Sequence, residues 1–296
     1  YGIEIEVVQI NDYIESINQY TAGAFDGCVM TNMDALTIPD AGGVDSTALI
    51  VIELSNGNDG IVLKGKTELG DIIGQQVHVV ELSVSHYLLA RALDSIGAAE
   101  KDLSVINTSD ADMVAAFASS DVTAVVTWNP LLSEILAMPD STKVFDSSQI
   151  PGEIIDMMVV NTETLKANPA LGKALTGAWY EIMSVMSGDD DAAIAARTHM
   201  AKASGTDLAG YDAQLASTRM FFEAADAVEF VRSEDLPKTM ENVAGFSFDH
   251  GLLGEGAPDA GFIGIGFPGG KSIGDTGNLK LRFDDTYMAM AAEGKL

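Results

Sequence analysis

At 296 residues, 47% of them hydrophobic, the chain is long enough to bury one large core or two units of ordinary domain size, and its composition excludes a disordered protein. Its 44 acidic against 16 basic side chains give a formal charge of -28, a field that repels nucleic-acid phosphates and anionic lipid surfaces, so neither is expected as a partner. No run of about 18 apolar residues occurs, so no membrane-spanning helix is expected in the chain as given.

In chain order, residues 3–10 (IEIEVVQI) alternate and read as a strand, 12–20 as an amphipathic helix, 27–31 and 48–54 as strands. This is the βαβα pattern of a parallel sheet covered by helices. The single cysteine, Cys28, lies in an apolar stretch and reads as a small buried hydrophobe; alone it forms no intrachain disulfide and no cysteine-based metal site. After the turn-rich 55–60 a second series begins: strand 77–82, helix 85–96, strand 103–107, helix 110–119, strand 122–127, a helix from Asn129, a short strand near Val144 and strand 154–161. From 162 the texture becomes Ala- and Met-rich, with helices expected at 168–187, 192–203 and 217–232 and Pro169 placed for a first turn. The glycine-crowded 246–277 reads as irregular, followed by a helix from Asp285.

Two patterns imitate phosphate-binding loops. Residues 60–67 match GxxxxGK[ST] letter for letter, but Ile61-Val62-Leu63 favours an extended strand over a curled phosphate cradle, and Gly70 and Gly74 interrupt the helix that ought to follow. Residues 264–269 match GxGxxG, but Pro268, Gly269 and Gly270 oppose a following helix, and the segment reads as a loop. No HExxH or Ser-His-Asp signature stands out, and no cofactor or metal is expected. The protein is expected to bind a ligand and not to be an enzyme.

Ligands of open α/β sheets sit beyond the carboxyl ends of strands. Polar groups collect at such places: Asn32 and Asp34; residues 55–60; Glu81, Ser83, Ser85 and His86; Trp128 and Asn129; and 146–156, with Glu153 and Asp156. Ser83 and Ser85 read either as helix caps or as hydroxyls facing a ligand, and Trp128 either as core or as an aromatic wall for a cation. Buried carboxylates near strand ends are costly unless paired with a cation. Between Gly70 and Asp156 the only basic side chains are Arg91, Lys101 and Lys143, none of them in these loops, where an anion site would place arginine. The balance favours a cationic ligand, and a guanidinium suits two carboxylates on its edges and an indole on its face.

The segments VELSVSHYLLARALDSIG (80–97), VVTWNP (125–130) and FDSSQIPGEIIDMMVVNTETL (145–165), with FSFDHGLLGEGAP and LRFDDTYM in the tail, resemble the taurine, aliphatic-sulfonate and thiamine-precursor group of ABC substrate-binding proteins, within it the branch associated with urea (guanidine) carboxylase. The resemblance implies an α/β, two-lobed type II periplasmic-binding-protein fold, each lobe a mainly parallel sheet flanked by helices. Lobe 1 would comprise 1–69 and 153–296, lobe 2 residues 70–152. It implies a monomeric, periplasmic or extracellular protein that passes guanidine to a membrane permease, with urea, taurine or another small amine or sulfonate as alternative cargo and a thiamine-pyrimidine enzyme as a different class. A lipid anchor would lie upstream, as would a first strand and helix that relatives carry. In taurine-binding relatives the aspartate matching Asp156 holds the ligand amine, and the same role is implied for Asp156; Glu153 has no carboxylate counterpart there. Cleft-lining roles are implied for Ser83, Ser85, His86 and Trp128.

Overall fold

The computed structural model describes residues 1–10 and 12–296. The chain divides into two compact units: Tyr1–Glu53, Ile155–Leu215 and Met220–Leu296 form the first, Leu54–Ile154 and Ala216–Arg219 the second. The second unit begins earlier than position 70 because the strand Asp59–Lys64 is a member of its sheet.

The strands are β1 (Gly27–Thr31), β2 (Ser46–Ser55), β3 (Asp59–Lys64), β4 (Gln76–Val79), β5 (Ser104–Asn107), β6 (Ala124–Trp128), β7 (Ser141–Asp146), β8 (Ile155–Asn161), β9 (Thr218–Met220), β10 (Gly264–Phe267), β11 (Lys271–Ile273) and β12 (Leu279–Phe283). One sheet runs β1-β8-β2-β12-β10-β11, with β9 also paired to β2, and the other runs β5-β4-β6-β3-β7. The α/β class holds, but both sheets are mixed. In the second unit β4 lies parallel to β5 and β6, whereas β3 runs against β6 and β7; in the first, β12 is parallel to β2 and β10, and β1 opposes β8.

Central strands are the ones whose sequence is apolar on both faces. Every residue of β2 is buried, including the run Leu49-Ile50-Val51-Ile52, and in β3 only Lys64 escapes full burial. Each such aliphatic side chain contributes about 1.5–3 kcal/mol by leaving water. The second unit closes its core with Val62 of β3 and Val125 of β6 against Met113, Phe117, Leu132 and Ile135. Because residues 60–64 are a strand, the GxxxxGK[ST] match is no phosphate cradle; Lys64 Nζ instead donates to the carbonyls of Phe117 and Ser119, closing the end of the helix Asp110–Ala118.

Four expectations are corrected. Residues 3–10 form no strand: neither sheet takes them up, and Val7 is 90% exposed, so alternation alone did not suffice without a neighbouring edge. The helix expected from 217 begins at Ala224, because the Phe221 N–H bonds the Ile52 carbonyl at 3.1 Å and draws this stretch onto β2. The glycine-rich tail is more regular than its composition suggests, with the helix Asp235–Asp249 followed by β10. Cys28 is half-buried on β1, its Sγ 3.6 Å from Ser16 Oγ.

Candidate functional site

In the first unit β1 runs into the short helix Asn32–Ala35, which Thr31 caps: its Oγ1 accepts from the Asp34 N–H at 3.3 Å and donates to Asp34 Oδ2 at 2.8 Å. The Tyr13 hydroxyl donates to the same Oδ2 at 2.8 Å and accepts from the Thr31 N–H at 2.9 Å. Tyr13 opens the helix Tyr13–Thr21, so two adjacent elements converge on one carboxylate oxygen. Asp34 is fully buried, and its other oxygen, Oδ1, has no hydrogen-bond partner. Burial drives the Asp34 carboxyl up to about 6; the hydrogen bonds from Thr31 and Tyr13 oppose the rise and the nearby charge of Asp156 adds to it.

Asp156 faces Thr31 across the β1–β8 register, and its neighbour Ile155 donates its N–H to Asn32 Oδ1 at 3.2 Å. On the adjacent strand β2, Glu53, 7% exposed, shares a side-chain hydrogen bond with Asp156. A bond between two carboxyl oxygens requires a proton; burial pushes the Asp156 carboxyl up, and the hydrogen bond from Glu53 opposes that rise. Tyr13 is pushed up by burial and by the charges of Asp34 and Asp156, so a single locus holds Tyr13, Asp34, Glu53 and Asp156. Among the described residues, no lysine or arginine forms an ion pair with Asp34 or Asp156.

In the second unit Ser83 caps the helix Val84–Ser95, its Oγ accepting from the Ser85 N–H at 3.2 Å and donating to the Val80 carbonyl at 2.7 Å. The first turn carries no acidic residue, and Ser85 Oγ, fully buried, has no hydrogen-bond partner. His86 is buried with both ring nitrogens engaged: Nδ1 accepts from the Leu82 N–H at 3.0 Å and Nε2 lies 3.1 Å from the Glu100 carboxylate. Trp128 is half-buried at the end of β6, and Asn129 Oδ1 accepts from the Ser133 N–H at 3.1 Å, holding the turn into the helix Leu131–Leu136.

Two of the expected carboxylates change character. Glu81 is exposed, so no desolvation cost attaches to it; the chain reverses at Leu82, φ 66°, just beyond it. Glu153 is not left for a ligand cation, because Arg91 grips it with Nε at 2.8 Å and Nη2 at 3.0 Å while the Tyr87 hydroxyl donates to it at 2.5 Å. Arg91 lies outside the candidate loops, as expected from the sequence, but reaches Glu153 from the face of the helix Val84–Ser95. Its spacing of four from Tyr87 was the available signal, since both lie on one helical face. Asn32, Asp34 and Asp156 do come together; Tyr13 and Glu53 join them and were not foreseen.

The fold is that of periplasmic binding proteins. The alkanesulfonate-binding protein SsuA of Xanthomonas axonopodis pv. citri, solved bound to MOPS, superposes with a TM-score of 0.68 at 16% identity over 84% of this chain and 83% of that one. The aliphatic sulphonate-binding protein SsuA of Escherichia coli gives 0.66 at 19% identity over 81% and 79%. By sequence, the taurine-binding periplasmic protein of Escherichia coli K12 is 25% identical over 130 residues, 43% of this chain, and the match spans only 40% of that relative's length. The broader match is to a family: residues 1–201 of the 296 fit the NMT1-like family, and the chain belongs to it.

Proposed function

We propose that this chain is the extracytoplasmic solute-binding protein of an ABC importer and that its cargo is a small cationic nitrogen compound, guanidinium foremost. Similarity to a taurine-binding periplasmic protein supports the binding role, the location and a membrane permease as partner. The observation that carries the choice of cargo is Asp34, fully buried, one oxygen without a partner, beside the hydrogen-bonded Asp156 and Glu53. Carboxylates held out of water gain most from a cation that brings N–H donors, and a planar guanidinium offers them along several edges. Urea presents similar donors without charge and would leave ionised carboxylates uncompensated.

Calorimetry with guanidinium, agmatine, urea, taurine and methanesulfonate tests this. Guanidinium is expected to bind, with Asp156→Asn and Asp34→Asn each weakening it by about tenfold or more, roughly 1.4 kcal/mol. Glu153→Gln is expected to change affinity by less than about threefold, since Arg91 already occupies that carboxylate. Binding of taurine or urea without guanidinium overturns the cationic reading.

A sulfonate is the second reading, favoured by the start of the helix Val84–Ser95, where the buried, unpartnered Ser85 hydroxyl offers a donor and no acidic side chain stands in the first turn. In that case taurine and methanesulfonate bind, and Ser85→Ala removes most of their affinity.

A further inference from the structure

The cluster in the first unit holds more carboxyl groups than one monovalent cation needs. Glu53 lies on β2 and Asp156 on the neighbouring β8, and the hydrogen bond between their side chains is possible only while one of the two carries a proton. The groups facing the pair are Asp34, which raises the cost of a second negative charge, and the Tyr13 hydroxyl, which hydrogen-bonds Asp34. The Thr31 hydroxyl also donates to Asp34. Three acids thus sit in one largely buried locus with neutral donors around them, a geometry in which proton and cation compete for the same place.

We infer that Glu53 is a ligand-binding residue and that it and Asp156 hold a single proton between them in the unliganded protein, which a bound cation displaces to solvent. The inference rests on the cationic reading of this locus and adds its regulation. The exchange balances: protonated pair plus cation gives two carboxylates, the bound cation and one free proton. Binding therefore weakens as pH falls, by about tenfold per pH unit once the pair is protonated, and becomes insensitive to pH when the pair is already ionised. The device favours uptake in neutral surroundings and release in acidic ones.

Two measurements test it. In the ligand-free protein, carbon-13 NMR of labelled side-chain carboxyls is expected to show Glu53 and Asp156 titrating together, with one step displaced upward from the ordinary carboxylate range; Glu53→Gln is expected to abolish that step while Asp34→Asn keeps it. Guanidinium calorimetry in two buffers of different ionisation enthalpy, between about pH 8 and about pH 5.5, is expected to show release of up to about one proton from this pair, lost in Glu53→Gln. If both carboxyls titrate independently in the ordinary acidic range, the inference is overturned even where guanidinium binds. If they share the proton and guanidinium does not bind, the cargo assignment fails and the shared proton stands. Guanidinium binding with buffer-independent heats and an affinity flat in pH overturns the displacement.

Discussion

A buried carboxylate keeps its charge only through the hydrogens aimed at it, and Asp34 receives two on one oxygen and none on the other. Burial raises it from the ordinary 3.8 to about 6, and those two hydrogen bonds offset only part of the rise. An acid that holds its proton more tightly when folded favours the folded state most at pH values below the unfolded value, and this advantage is lost as pH rises through the folded one. The unfolding free energy of the parent protein minus that of Asp34→Asn is therefore expected to fall by on the order of 3 kcal/mol between about pH 4 and about pH 7. Urea denaturation across that window measures it, and parallel curves for the two proteins contradict the assigned environment of Asp34. Glu153 teaches the opposite lesson. Its type and position were legible, but whether it faced a ligand depended on Arg91, from the face of a helix that the chain places beside it.

At the scale of elements, the tail shows how backbone approach outranks composition. Gly264 opens β10 where a Cβ would stand 2.2 Å from the Asp275 carbonyl oxygen and 3.0 Å from the Leu279 Cα, so the strand reaches β12 only because this position has no side chain. The glycines of 264–269 therefore serve strand packing and a turn, with Gly269 at φ 76°. Gly264→Ala is expected to destabilise the protein by roughly 2–4 kcal/mol, since both opposing atoms are backbone and cannot rotate away. Gly266→Ala, whose nearest neighbours would be side-chain atoms at 3.6 Å, is expected to cost much less. The midpoints of chemical unfolding for the pair decide the point, and equal losses contradict it. Elsewhere local chemistry was sufficient: Asn161 caps the helix Thr162–Ala167, and Pro169 stands at the first turn of Pro169–Met186, as its ring and missing N–H allow.

At the scale of the whole molecule, a formal charge of -28 makes like-charge repulsion a standing term against the folded state. The melting temperature is accordingly expected to rise by a few degrees as sodium chloride increases from about 0.01 M to about 1 M, where screening shortens the reach of the field to about 3 Å. A salt-independent melting curve contradicts this. Helices, strands and the α/β class were readable because periodicity, caps and β-branched runs act over a few neighbouring residues. The mixed strand directions, the exclusion of residues 3–10 from either sheet and the partners of Glu53, Asp34 and Glu153 were not, because each depends on residues far apart in the chain. Glu53 meets Asp156 only because β2 is flanked by β8, and Arg91 meets Glu153 only because the helix Val84–Ser95 lies beside it. The sequence by itself determined which polar side chains stand near strand ends; tertiary structure decided which carboxylate was already neutralised and which, among the described residues, has no cationic side chain paired with it, because desolvation and ion pairing are set by distance in space.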